Sequence, residues 1–152
     1  MNANLYEGRA DAQDVVDAVR EYHVDILVLE EITPGLLEEM DGLGLADLLP
    51  ERVGQPDYMV AGTMILANQP LTDHVVMRNL DDAGFRDAGE VANEGWQPTW
   101  PANHVSILPL LPPLVRIDHV LVGRALTSLG TETVDIDGTD HLAVIATVAR
   151  RA

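Results

Sequence analysis

The sequence predicts a compact α/β fold, a mixed β-sheet with flanking helices, built as a single domain over residues 1–152. Three observations predict it. Helical apolar spacing marks the first half of the chain, β-rich apolar runs mark the last third, and the composition is 47% hydrophobic and 22% charged. That composition excludes a disordered tail, a collagen-like fibre and a coiled coil. The absence of cysteine excludes disulfide scaffolds, thiolate zinc sites and cysteine nucleophiles. No apolar stretch approaches the ~20 residues that span a bilayer, and the first residues carry no leader pattern. The expectation is therefore a chain without signal peptide or membrane span, cytoplasmic by default.

The elements follow in order. Residues 11–22 predict a helix: Ala12, Val15, Val16 and Val19 share one face, and Asp11 can cap it. Residues 26–29, an apolar run bounded by charge, predict a buried strand, with Glu30 and Glu31 at its carboxyl end. Thr33 as cap and Pro34 in the first turn open a second helix carrying Leu36, Leu37 and Met40; Gly42 and Gly44 break it. Residues 58–66 predict a second strand with Gly62 inside it, stopped by Pro70. Thr72 or Asp73 caps a third helix through Ala83, with Gly84 past its end.

Residues 87–116 hold both tryptophans and five prolines and predict one long irregular excursion. Strands follow at residues 117–122, 127–136 and 142–148, the last two separated by the turn signal Asp137-Gly138.

Nine cations, all arginine, against 25 acids give a net charge of −16. This field disfavours nonspecific binding to nucleic acid but not phosphoester chemistry, because a divalent cation reverses the local field in a carboxylate-lined cleft. Candidate site residues stand where α/β sheets place sites, at strand ends: Asn4, Glu31, Asp118-His119 and Asp140-His141. Each has a plain structural alternative. Asn4 can be a turn residue, Glu31 a solvated acid at a helix entry, and Asp118 a partner for Arg116 or a backbone amide. Trp96 and Trp100 can stack on a substrate ring or anchor their segment to the core.

Taken together, the motifs resemble the endonuclease/exonuclease/phosphatase superfamily of metal-dependent phosphoester hydrolases. Asn4-Leu5 before Gly8-Arg9-Ala10-Asp11 resembles its asparagine motif, and Asp25-Ile26-Leu27-Val28-Leu29-Glu30-Glu31 its D-I-L-x-L-Q-E strand. Thr99-Trp100-Pro101 resembles its T-W segment, and Arg116-Ile117-Asp118-His119-Val120-Leu121-Val122 its R-I-D-Y/H-x-L-V strand. Gly138-Thr139-Asp140-His141 resembles its terminal S-D-H motif. The resemblance implies a truncated or compact α/β sandwich. It also implies Mg²⁺ (or Mn²⁺) near Glu31 and Asp140, and catalytic roles for His141, Asp118 and Asn4. In that scheme Asp118 accepts from His141 and fixes its tautomer, and Asn4 helps to hold the ion and the scissile phosphate.

The family's central G-D-F-N motif is missing from this sequence. Residues 62–71 resemble the family's G-x-x-I-L-S-R-x-P-L segment, and residues 73–80 resemble the D-H-x-x-M-R-x-L helix that normally follows G-D-F-N. The two pieces are joined directly, as if the central part were deleted. Asp73 and Asn68 are the candidates to replace the missing pair, and neither has the right spacing.

Two functions compete: a metal-dependent phosphoesterase of weakened activity, or a catalytically inactive remnant acting as a binding or oligomerisation module. The acidic surface favours a small phosphorylated molecule or a lipid headgroup over long nucleic acid. Residues 58–66 and the apolar positions Ile107, Leu108, Leu110 and Leu111 are too hydrophobic for a bare edge. They predict a homodimer, or an edge covered by the Pro-rich excursion.

Overall fold

Side-chain alternation decides which face of each strand is buried. In strand β2 (Ile26–Glu30) of the computed structural model, Leu27 and Leu29 are fully buried while Ile26 is 52% exposed. In β4 (Thr63–Ala67), Met64 and Leu66 are buried and Ile65 is partly exposed. The apolar run at residues 26–29 thus forms the expected strand, and its burial is on the face of Leu27 and Leu29. The structure describes residues 1–71, 84–102 and 112–151.

The buried faces pack under helices α1 (Ala12–Glu21) and α2 (Pro34–Gly42) and the single turn α3 (Leu45–Leu48). Asp11 caps α1, its carboxylate accepting from the amides of Gln13 (2.8 Å) and Asp14 (3.1 Å). Val15, Val16 and Val19 form the buried stripe of α1. Thr33 caps α2, and Pro34 stands in its first turn.

Six strands form one mixed sheet in the order β3-β4-β2-β1-β8-β7, with β1 at Asn2–Asn4, β3 at Glu51–Gln55, β7 at Leu126–Asp135 and β8 at Leu142–Arg150. Among the described residues β1 and β2 pair in parallel and the other pairings of this sheet are antiparallel. A two-stranded sheet pairs β5 (Arg86–Asp87) with β6 (Leu121–Val122), and the short helix α4 (Ala88–Ala92) packs against β7. No helix among the described residues is long and apolar enough to cross a membrane.

Several boundaries differ from expectation, each for a physical reason. Residues 58–66 are not one strand. Residues 59–61 form a 3₁₀ turn, because β4 must fold back along β2: Ile32 donates to the Gly62 carbonyl (3.2 Å) and accepts from the Asp57 amide (3.0 Å). A Cβ on Gly62 would lie 1.9 Å from the Ile32 carbonyl oxygen, so only glycine permits this approach. β4 is then flanked by β2 and β3, not an edge, and this removes one reason for expecting a dimer.

The strand expected at residues 117–122 shrinks to Leu121–Val122, since the amides of Ile117 and Asp118 donate to the Thr99 hydroxyl instead of to a strand. The excursion at 87–116 contains α4 and a cis Trp100-Pro101 bond. The expected helix over residues 72–83 and the apolar segment at 107–111 lie outside the described residues.

Candidate active site

Backbone register begins the assembly of the site. Asn4 of β1 stands opposite Glu30 of β2, and Leu5 donates to the Glu30 carbonyl (2.9 Å). Asn4 Oδ1 accepts from the Tyr6 amide (2.9 Å), which leaves Nδ2 to donate to Glu31 Oε1 (3.1 Å). The other carboxylate oxygen of Glu31 accepts from the Glu7 amide (2.9 Å). Glu31 itself has φ +58°, a left-handed conformation that is strained for a residue with a Cβ. Two donors fix its carboxylate at the strand end.

A second loop joins from the far end of the chain. The Asp11 amide donates to the Asp137 carbonyl (2.6 Å), drawing this loop onto the start of α1. Gly138 follows at φ +85°, where a Cβ would lie 2.2 Å from the Arg9 carbonyl oxygen. The buried Thr139 hydroxyl then donates to the Asn4 carbonyl (2.8 Å) and accepts from the His141 amide (3.2 Å). One hydroxyl thus ties the loop carrying Asp140 and His141 to the strand carrying Asn4.

The third component is Thr99, which is fully buried. Its hydroxyl accepts from the amides of Ile117 (3.1 Å) and Asp118 (3.2 Å), and its carbonyl accepts from Leu142 (2.8 Å). Thr99 therefore holds the Asp118 backbone beside the start of β8. Asp118 is buried, and its carboxylate oxygens lie 2.9 and 3.1 Å from His141 Nδ1. Asp140 Oδ2 accepts from the Trp100 indole (3.0 Å); its buried Oδ1 has no hydrogen-bond partner among the described residues and lies 3.8 Å from His141 Nε2.

Electrostatics follow from this crowding. Burial acts to lower the His141 pKa, but the hydrogen bond to Asp118 and the charges of Asp118, Asp140 and Glu31 outweigh it and leave it raised. Glu30 is also raised, by burial first and then by the Asp118 charge. Glu30 is the residue that sequence reasoning passed over. It shares a face with Asn4, and strand alternation from Val28 was the signal that could have placed it there.

The structure thus brings Asn4, Glu31, Asp118, Asp140 and His141 together. It does not bring His119, whose Nδ1 lies 2.8 Å from Asp87. Arg116 also pairs with Asp87, at 3.1 Å, so it is not the partner of Asp118. Asn68 donates to Asp25 (2.6 Å) at the opposite end of β2, so it does not stand in for the missing motif; Asp73 lies outside the described residues. Trp100 is a hydrogen-bond donor to Asp140, and Trp96 is 71% exposed.

The role of Thr99 is directly testable. Thr99→Val strips the acceptor from two amides, and a buried donor left bare costs about 1–3 kcal/mol. We expect the unfolding free energy in urea to fall by that amount, seen as a lower midpoint at unchanged slope. An unchanged midpoint would show that these amides find other partners.

Fold and site together define an α/β-sheet protein whose acid, amide and imidazole groups meet at strand ends. The model of the endonuclease/exonuclease/phosphatase family matches residues 1–113. The chain belongs to that family. The match includes Asn4 and Glu31 and ends before Asp118, Asp140 and His141. At family level the domain is of the phosphoesterase and nuclease hydrolase type, and enzymes of the family generally use divalent metals. No curated protein and no solved structure matches the chain.

Proposed function

We propose that the protein hydrolyses phosphoesters, mono- or diesters of a small phosphorylated molecule or a lipid headgroup, at the site of Asn4, Glu31, Asp118, Asp140 and His141. The observation that supports this best is the convergence itself: residues from both ends of the chain meet through Thr139, which bonds Asn4 and His141. The net charge of −16 makes long duplex DNA a poor partner.

With Nδ1–H donated to Asp118, His141 presents Nε2 as its free nitrogen, able to take or return a proton at a reacting oxygen. Asp118 holds the tautomer and favours the imidazolium. Asn4 aligns Glu31 through its amide.

Among the described residues no three His, Asp or Glu side chains gather as a cage. Mg²⁺, however, takes only one or two carboxylates and retains water, and the bare Asp140 Oδ1 is an oxygen of the kind it needs. Glu31 and Asp140 are therefore the residues that would hold Mg²⁺ (or Mn²⁺). When bound, the ion neutralises charge on the phosphate oxygens.

Loss of the G-D-F-N motif weakens this chemistry, since each missing donor of the oxyanion-hole type forfeits roughly 10²–10³ in rate. Turnover of a bis-aryl phosphodiester should accordingly be slow, sensitive to chelator, and lower by a further factor of roughly 10²–10³ in Glu31→Gln. The second reading, an inactive binding or oligomerisation module, is favoured by the same missing motif. Hydrolysis no faster than the uncatalysed background in both proteins, with no metal binding by calorimetry, would support it.

A further inference from the structure

Exposed apolar side chains flank the candidate site on two sides. On the first side stands the loop that joins β3 to β4. Ile32, the residue after Glu31, holds this loop by accepting from the Asp57 amide and donating to the Gly62 carbonyl. At its tip Tyr58, Met59 and Val60 are 77, 66 and 63% exposed. Met59 has φ +60°, an uncommon conformation for a residue with a Cβ.

On the second side Trp100, Leu114 and Ile117 are exposed. The Trp100 indole donates to Asp140, the Leu114 amide donates to the Trp100 carbonyl (2.9 Å), and Ile117 precedes Asp118. The polar site therefore lies between two apolar banks, one beside Glu31 and one beside Asp118 and Asp140. Clustered apolar surface around a polar centre marks a contact face, and any partner that covers both banks also covers the site. A protein seated there would shut the site, whereas a lipid surface brings substrate to it. Tyrosine and tryptophan suit the boundary between water and hydrocarbon. The net charge of −16 sets the kind of surface: anionic lipid repels this chain and zwitterionic lipid does not.

We propose that this end of the sheet docks on a zwitterionic lipid bilayer. Tyr58, Met59 and Val60 enter the headgroup region on one side of the site, and Trp100 and Leu114 enter it on the other. The substrate is then a phosphoester in the headgroup of a lipid held in that bilayer. The identification of substrate rests on the hydrolase reading; the docking does not.

The test is co-sedimentation of the full chain with vesicles of phosphatidylcholine, alone and mixed with phosphatidylglycerol. The protein should bind the first and bind the mixture more weakly, and added salt should narrow the difference. Met59→Asn combined with Val60→Ser strips apolar groups from the tip, and asparagine accepts the left-handed backbone. Vesicle affinity should fall by more than tenfold, since about two methylenes are worth a factor of ten. Leu114→Ser should weaken binding from the opposite bank, and it decides the matter if the tip variant does not fold. No binding of the unaltered protein to phosphatidylcholine, or binding unchanged in these variants, overturns the proposal. A dimer in sedimentation velocity that the tip variant dissociates assigns the banks to a second copy and overturns it too. Turnover separates the two readings. Chelator-sensitive hydrolysis of the soluble bis-aryl phosphodiester without vesicle binding overturns the docking and leaves the hydrolase. Vesicle binding with no turnover of soluble or vesicle-borne ester overturns the hydrolase and leaves the docking.

Discussion

His141→Ala will abolish most of the chelator-sensitive phosphodiester turnover, by roughly 10²–10⁴ as is typical of a general acid–base residue. The ring is held by Asp118 at 2.9 Å, and a mutant that keeps the backbone bond from the His141 amide to Thr139 keeps the loop in place. Folding should therefore survive, and circular dichroism spectra should overlay. Asp118→Asn should cost less, because the asparagine can still accept from Nδ1 but no longer stabilises the imidazolium. It should move the pH optimum downward, since the carboxylate is what raises the His141 pKa against its burial. If His141→Ala retains full turnover, the imidazole is structural and the chemistry lies elsewhere.

The second large effect is on stability. Arg116 and Asp87 pair at 3.1 Å with side chains only 10% and 13% exposed, and His119 adds a contact to the same carboxylate at 2.8 Å. Asp87→Asn leaves the Arg116 guanidinium buried without its counter-charge, which costs roughly 3–5 kcal/mol. The helix cap should survive, since asparagine also accepts from the Glu90 amide. Burial pushes the Asp87 pKa up, but the hydrogen bond from His119, the Glu90 amide and the Arg116 charge outweigh it and hold the value below 3.8.

The sign of the pH dependence follows. A carboxyl depressed on folding contributes stability that is present above its unfolded pKa and lost as pH falls through the folded value. The gap between the parent protein and Asp87→Asn should thus be widest near neutrality and narrow below about pH 4. Chemical unfolding at pH 7 and pH 3 measures it, and a gap of equal size at both would contradict the pairing.

Much of the helical layer was legible in the sequence because its signals are local. Asp11, Thr33 and Pro34 announce helix starts within a few residues, and Val15, Val16 and Val19 carry their period openly. Strand β3 was not legible: Glu-Arg-Val-Gly-Gln has one large apolar residue, and the strand is held by an edge pairing to β4 and by Arg52 bridging to Asp41. Candidate site residues were readable as motifs, but the means of bringing them together were not. Thr99 and Thr139 act on partners 19 and 135 residues away, a separation no local pattern encodes. Glu30 was masked by its own strand, where the apolar run stops at Leu29 and the next acid reads as solvent-facing. The apparent splice at residues 62–80 was visible, but Asn68 could be set aside only when its bond to Asp25 placed it at the wrong end of β2.

The three-residue strand β1 has a consequence for folding. Among the described strands it is the one that joins two blocks of antiparallel sheet, β3-β4-β2 on one side and β8-β7 on the other. Its link to β8 is a single register pair, Asn2 with Val144, between opposite ends of the chain. Each block can form from contacts nearer in sequence, so closing this seam carries the larger loop-closure entropy and belongs late in folding. The candidate site straddles the seam, with Asn4 and Glu31 on one side and Asp140 and His141 on the other. A molecule whose blocks have formed but whose seam is open thus has most of its secondary structure and none of its site. Amide hydrogen exchange at Asp11 and Asp137, whose protons are held by the Asp137 carbonyl and the Asp14 carboxylate between the two ends of the chain, should report the same opening event that switches the site off.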